Sequence, residues 1–103
     1  MNPAKVQRDR LDKLTDLPNI GPACARDLQR LGIQKPEQLK GMSGYELYDR
    51  LCESTRTRHD PCMLDTFLSV TSFMDGGKAR PWWDFTGERK RALLKNPHKS
   101  KYA

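Results

Sequence analysis

Residues 17–33 leave the backbone few options, because two prolines and two glycines punctuate them in a fixed order. Pro18 pushes Leu17 out of the α region, so a helix arriving from the N-terminal side must stop there. Pro22 suits the first position of a new helix, where its missing N–H costs nothing, and Gly21 then falls at the N-cap. Gly32 stands where a helix C-terminus takes a left-handed residue. The pattern predicts a helix over about 22–31 that buries Ala25, Leu28 and Leu31. Residues 18–21 form the turn ahead of it, with Ile20 as the aliphatic plug. The first amides of such a helix have no intrahelical partner and point at whatever lies beyond its end, which suits an anion.

Helical punctuation continues along the chain. Asn2-Pro3 reads as the cap of a first helix running to about Leu17, with Val6, Leu11, Leu14 and Leu17 along one face. A short helical turn spans Pro36 to about Lys40 and breaks at Gly41. Ser43 and Glu46 have the spacing of a capping box, and Met42 and Leu47 that of a hydrophobic staple. The helix they start should reach about Thr55 with Leu47, Tyr48 and Leu51 inward. After a polar loop, Asp60-Pro61 caps a helix to about Asp75, ended by Gly76-Gly77. Met63, Leu64, Phe67, Leu68, Val70, Phe73 and Met74 make that helix apolar nearly all round, with Asp65 its one interior charge. Such a helix is a buried central pillar. A weak echo at a spacing of 22 maps Leu17, Ile20 and Ala25 onto Leu39, Met42 and Leu47, suggesting a second, degenerate hairpin at residues 40–43. Strict apolar alternation is absent, and Val and Ile together number four, so the class is all-α.

At 103 residues and 36% hydrophobic content, the chain holds one domain with a small core. No run approaches the ~20 apolar residues of a membrane span, and a charged start excludes a secretory signal. Three cysteines without such a signal point to reduced thiols in a cytoplasm. Residues 1–75 hold 11 Lys/Arg and 11 Asp/Glu, whereas residues 76–103 hold 8 against 2, so the net charge of +6 sits at the C-terminal end. This predicts a domain over residues 1–86 followed by a basic, flexible tail over 87–103. A tail of this kind is either a nucleic-acid arm or a solvated aid to solubility.

Three groups of side chains invite chemistry. Cys62 falls in a first helical turn beside Arg58 and His59, where dipole and charge favour thiolate. The plainer reading makes Asp60 a cap and Cys62 a small buried residue. Cys52, His59 and Cys62 are the candidate metal ligands, but structural zinc wants four ligands and close Cys pairs. Ten residues separate these two cysteines. Neither a metal nor a cofactor is expected, and no enzyme. Trp82, Trp83 and Phe85 stand between Lys78 and Arg80 on one side and Arg89, Lys90 and Arg91 on the other. Indoles among cations can stack on unpaired bases, or they can close the core; both hold if one points in and the other out.

The run Leu17-Pro18-Asn19-Ile20-Gly21-Pro22, with Ala25 beyond it, resembles the helix-hairpin-helix signature. Together with Arg58-His59-Asp60-Pro61-Cys62, then Leu64, Asp65 and Phe67, then Arg80-Pro81-Trp82-Trp83, it is similar to the pathogenicity-locus family of small bacterial helix-hairpin-helix proteins, often labelled mitomycin resistance proteins. The likeness covers about residues 10–91. It implies a compact five-helix domain with tandem helix-hairpin-helix motifs, SAM-like or DNA-polymerase-beta N-terminal-like, in a bacterial cytoplasm. The family has no settled biochemical role, its mitomycin label hinting at tolerance of DNA damage, and the leading reading of the residues is sequence-nonspecific binding of DNA. Asn19, Ile20, Gly21, Ala23, Cys24 and Arg26 would hold a phosphate, and Lys78, Arg80, Arg89, Lys90 and Arg91 would add counterion-release affinity. One departure is that Asn19 replaces the first glycine of the usual Gly-hydrophobic-Gly. Asn tolerates positive φ, but its side chain can obstruct a close phosphate. The competing readings are a protein-interaction domain without nucleic acid and, third, a thiol-active protein through Cys62. The preferred DNA structure, the protein partner and the oligomeric state stay open.

Overall fold

The computed structural model describes residues 5–103. Four α-helices, α1 (Pro22–Arg30), α2 (Gly44–Thr55), α3 (Pro61–Met74) and α4 (Thr86–Lys95), alternate with 3₁₀ turns at Leu14–Asp16, Pro36–Leu39, Trp82–Phe85 and Pro97–Lys99. No strand occurs among the described residues. The starts follow the punctuation: Pro22 at the first turn of α1, the Ser43 hydroxyl accepting from the Glu46 amide at 3.3 Å, and the Asp60 carboxylate accepting from the Cys62 amide at 2.9 Å. α3 is the pillar. Its Leu64, Phe67 and Val70 are fully buried, with Leu47, Tyr48 and Leu51 of α2 and Leu28 of α1 in the same core. Gly44 permits the close seat of α2, since a Cβ there would lie 3.0 Å from the backbone nitrogen of Leu68.

The expected first helix is not formed among the described residues, where only the Leu14–Asp16 turn is helical between 6 and 17. Its proposed cap, Asn2-Pro3, lies outside them. The reason is competition for donors. The Asp16 carboxylate accepts the amides of Asp12 (3.0 Å) and Lys13 (2.8 Å), which a helix would have sent to carbonyls four residues back. Arg8 meanwhile donates to the carbonyls of Phe73 (2.7 Å) and Gly77 (2.6 Å) and lies 4.0 Å over the Phe73 ring. It thereby caps the end of α3 and fastens the N-terminal segment across it.

The 22-residue echo is structural. The turns at Leu14–Asp16 and Pro36–Leu39 lead into Leu17 and Leu39, both fully buried, and then into Asn19 and Gly41, with φ of 66° and 76°. The N-caps Gly21 and Ser43 follow, and Ala25 and Leu47 are buried one turn on.

The boundary at residue 86 does not separate a domain from a loose tail, because α4 begins at Thr86 and is bound to the pillar. The Asp65 carboxylate, 1% exposed, accepts from the Thr86 hydroxyl at 2.8 Å and from Arg89 Nε and a terminal nitrogen at 2.9 and 3.2 Å. Beyond α4 the chain returns to α2. Ser100 Oγ donates to Asp49 Oδ1 at 2.6 Å, the Lys101 amide donates to Asp49 Oδ2 at 2.9 Å, and Tyr102 packs against the core. A lysine- and arginine-rich stretch reads as solvated, but its anchoring carboxylates lie 21 to 52 residues away.

Candidate nucleic-acid interface

At the start of α1, the first backbone bond is Ala25 N–H to the Gly21 carbonyl, 3.0 Å. The amides of Ala23 and Cys24 donate to no described residue, and Gly21 has no side chain with which to cap them. Pro22 and Ala23 are exposed. The related turn at 40–43 is closed from within: the Gly41 amide donates to the Asp75 carboxylate at 2.9 Å, and Ser43 caps α2. One of two like turns thus already holds an anion, a residue of the chain itself, while the other is open.

Asn19 explains how the open turn stays unobstructed. Its left-handed backbone is the conformation a glycine would supply. Its side chain is turned inward, where Nδ2 donates to Ser69 Oγ at 3.0 Å and to the Arg80 carbonyl at 2.8 Å. The expected obstruction is therefore absent, and the same side chain holds the Arg80 carbonyl against the turn. Gly21 has extended backbone, φ −92° and ψ −177°, and a Cβ there would meet nothing within 4 Å. Ile20 is fully buried, so it positions the turn without facing outward. Cys24 is half-buried, and burial pushes its thiol up, with Asp27 adding to the effect. Arg26 is exposed, one turn along from Ala23, and forms no ion pair with a described residue.

The other cations divide. Arg89 is spent on Asp65 and is not available to a phosphate. Arg80 lies 4.2 Å over the Phe85 ring and pairs with Asp84 (3.6 Å) and Glu88 (3.7 Å), so its charge is balanced at home. Lys78, Lys90 and Arg91 are exposed and pair with no described residue. Trp82 is half-buried and Trp83 is 60% exposed, their rings in edge contact at 5.6 Å and 84°. One indole points in and the other out.

The thiol expectation reverses. Burial first, and the Asp60 carboxylate second, push the Cys62 thiol above its ordinary range. Cys62 in turn holds the Asp60 carboxyl below the usual carboxylate range. Cys52 is buried, with Sγ 3.5 Å from the His59 amide, while the His59 ring bonds through Nε2 to Thr55 Oγ1 at 2.8 Å. No three His, Cys, Asp or Glu side chains converge as metal ligands among the described residues. No described helix is long and apolar enough to cross a membrane. Sequence reasoning missed Ser69, Asp75 and the Asp65–Arg89 pair, whose partners are remote in the chain and carry no local signal.

These features define a small all-helical protein built on a repeated turn-and-helix unit, open at one turn and closed at the other. The chain belongs to the pathogenicity-locus family (Cdd1), whose model matches residues 7–91. It is similar to mitomycin resistance protein McrB of Streptomyces lavendulae, 44% identical over 85 residues, which cover 82% of this chain and 81% of that one. No solved structure matches the chain.

Proposed function

We propose that the protein binds DNA without sequence preference, using its two turn-linked units as tandem helix-hairpin-helix motifs of which the first grips a backbone phosphate. The observation that carries this reading is the open start of α1, with unpartnered Ala23 and Cys24 amides, set against the start of α2, where Ser43 takes the Glu46 amide. A helix N-terminus without a side-chain cap is a ready anion site, and exposed Arg26, in the same helix, supplies positive charge. The relative's name refers to mitomycin resistance, which supports a role for the binding in tolerance of DNA damage; the compartment we propose is the cytoplasm. A second reading, a protein-interaction domain, is favoured by one observation: Leu94 is 83% exposed, beside half-buried Leu93 on α4.

The test is Gly21→Asp. An N-cap Asp would satisfy the α1 amides from within, as Asp60 does on α3, and the site has room and the right backbone for it. Folding should become more stable by up to about 1 kcal/mol, while affinity for a random duplex at low salt falls at least about tenfold. A variant that is more stable and binds like wild type removes the α1 turn from the interface.

A further inference from the structure

We propose that Trp83 is a stacking platform for an unpaired base, so that the preferred ligand is DNA carrying single-stranded bases next to the gripped phosphate. The inference rests on the DNA-binding reading and adds to it the class of DNA. An indole 60% exposed is not explained by the core, which Phe85 already closes at this corner with 5% exposure. Nor is Trp83 on a loose segment. It sits in the Trp82–Phe85 turn, braced edge-on by Trp82, and the turn itself is anchored by buried Phe85 with Arg80 over its ring. That turn is tied to the candidate phosphate turn, because the Arg80 carbonyl takes the Asn19 amide at 2.8 Å. Three Cα–Cα steps of about 3.8 Å keep Trp83 within about 11 Å of Arg80, the residue whose carbonyl is fastened to Asn19 in the turn. A strand held by phosphate at the start of α1 and running toward this turn can therefore lay an unpaired base, a few nucleotides along, on the indole. Base–aromatic stacking is tolerant of sequence because every base has a π-face, which fits binding without sequence preference. Paired bases are already stacked within their duplex, so the indole gains only where a base is free.

The experiment compares three fluorescent oligonucleotides: a blunt duplex, the same duplex with a five-nucleotide dT overhang, and dT alone. Each is titrated by anisotropy with wild type, Trp83→Ala, Trp83→Phe and Gly21→Asp, and each variant's melting temperature is recorded. Trp83→Ala should lose roughly 5- to 150-fold on the overhang and on dT, and less than about twofold on the blunt duplex. Trp83→Phe should recover most of the loss. In a Trp82→Phe background, dT should quench the remaining indole emission. If Trp83→Ala weakens all three ligands equally, or none, while Gly21→Asp still weakens the duplex, the stacking inference fails and phosphate binding stands. If wild type binds none of the three at low salt, both fail, and the exposed indole belongs to a protein interface.

Discussion

At the scale of single residues, Asn19 decides whether the turn can work. It supplies the left-handed backbone usually left to glycine and ties the turn to Ser69 and to the Arg80 carbonyl. Asn19→Gly would restore the commoner residue and keep φ near 66° at no strain, yet it would remove both bonds. We expect a loss of about 2 kcal/mol in stability from two part-buried hydrogen bonds and no gain in DNA affinity. Chemical denaturation and duplex titration of the variant check this together. Tighter binding by Asn19→Gly would mean that the side chain does obstruct the ligand. The Cys62 thiol stands in contrast: a first-turn position and basic neighbours suggested thiolate, but burial and Asp60 outweigh them.

At the scale of elements, α4 is joined to α3 by the buried pair of Asp65 and Arg89, with Thr86 as a second donor. Removing one member of such a pair leaves a desolvated charge and costs about 3–5 kcal/mol. Arg89→Ala should fall near the lower end, since Thr86 still serves the carboxylate, and the double variant Asp65→Leu/Arg89→Leu should recover much of the loss. Thermal denaturation of the three proteins tests this; equal melting temperatures would mean that the pair does not hold α4. Helices α1 to α3 were legible because Pro22, Ser43, Asp60-Pro61 and Gly76 are local signals that act within a few residues of where they stand. α4 was not, because residues 86–95 mix Thr, Gly and five charged groups without an apolar stripe, and its stability comes from Asp65, whose role no neighbour announces. The expected helix before Leu17 failed for the converse reason: its apolar spacing was passable, but the Asp16 carboxylate takes two of its amides and the Arg8 side chain ties the segment to the end of α3. Within the site, Gly21 and its open helix start were visible from residue type alone. The inward turn of Asn19 and the closure of Gly41 by Asp75 needed the third dimension.

At the scale of the whole molecule, the net charge of +6 no longer belongs to a detachable arm. Cutting the chain after residue 86 would strip Asp65 of Arg89 and Asp49 of Ser100, so a truncated protein tests folding before it tests binding. The useful variant is Lys90→Gln/Arg91→Gln/Lys95→Gln, three exposed cations without an ion-pair partner among the described residues. Its melting temperature should stay within a few degrees of wild type. Its plot of log affinity against log salt should flatten by about 0.9 for each duplex phosphate contact removed. An unchanged slope would place the interface wholly on the α1 side.

The carboxylate of Asp75 on the Gly41 amide has a consequence for valence. A duplicated grip could hold both strands of a duplex, or two duplexes, from one monomer. With the Gly41 amide taken by Asp75 and α2 capped by Ser43, only the α1 turn is left open for a phosphate. On the proposed DNA-binding reading, a single molecule would then grip through one turn and would not bring two segments together through both. Any bridging would require a second copy, and would then depend on protein concentration in a way that simple coating does not.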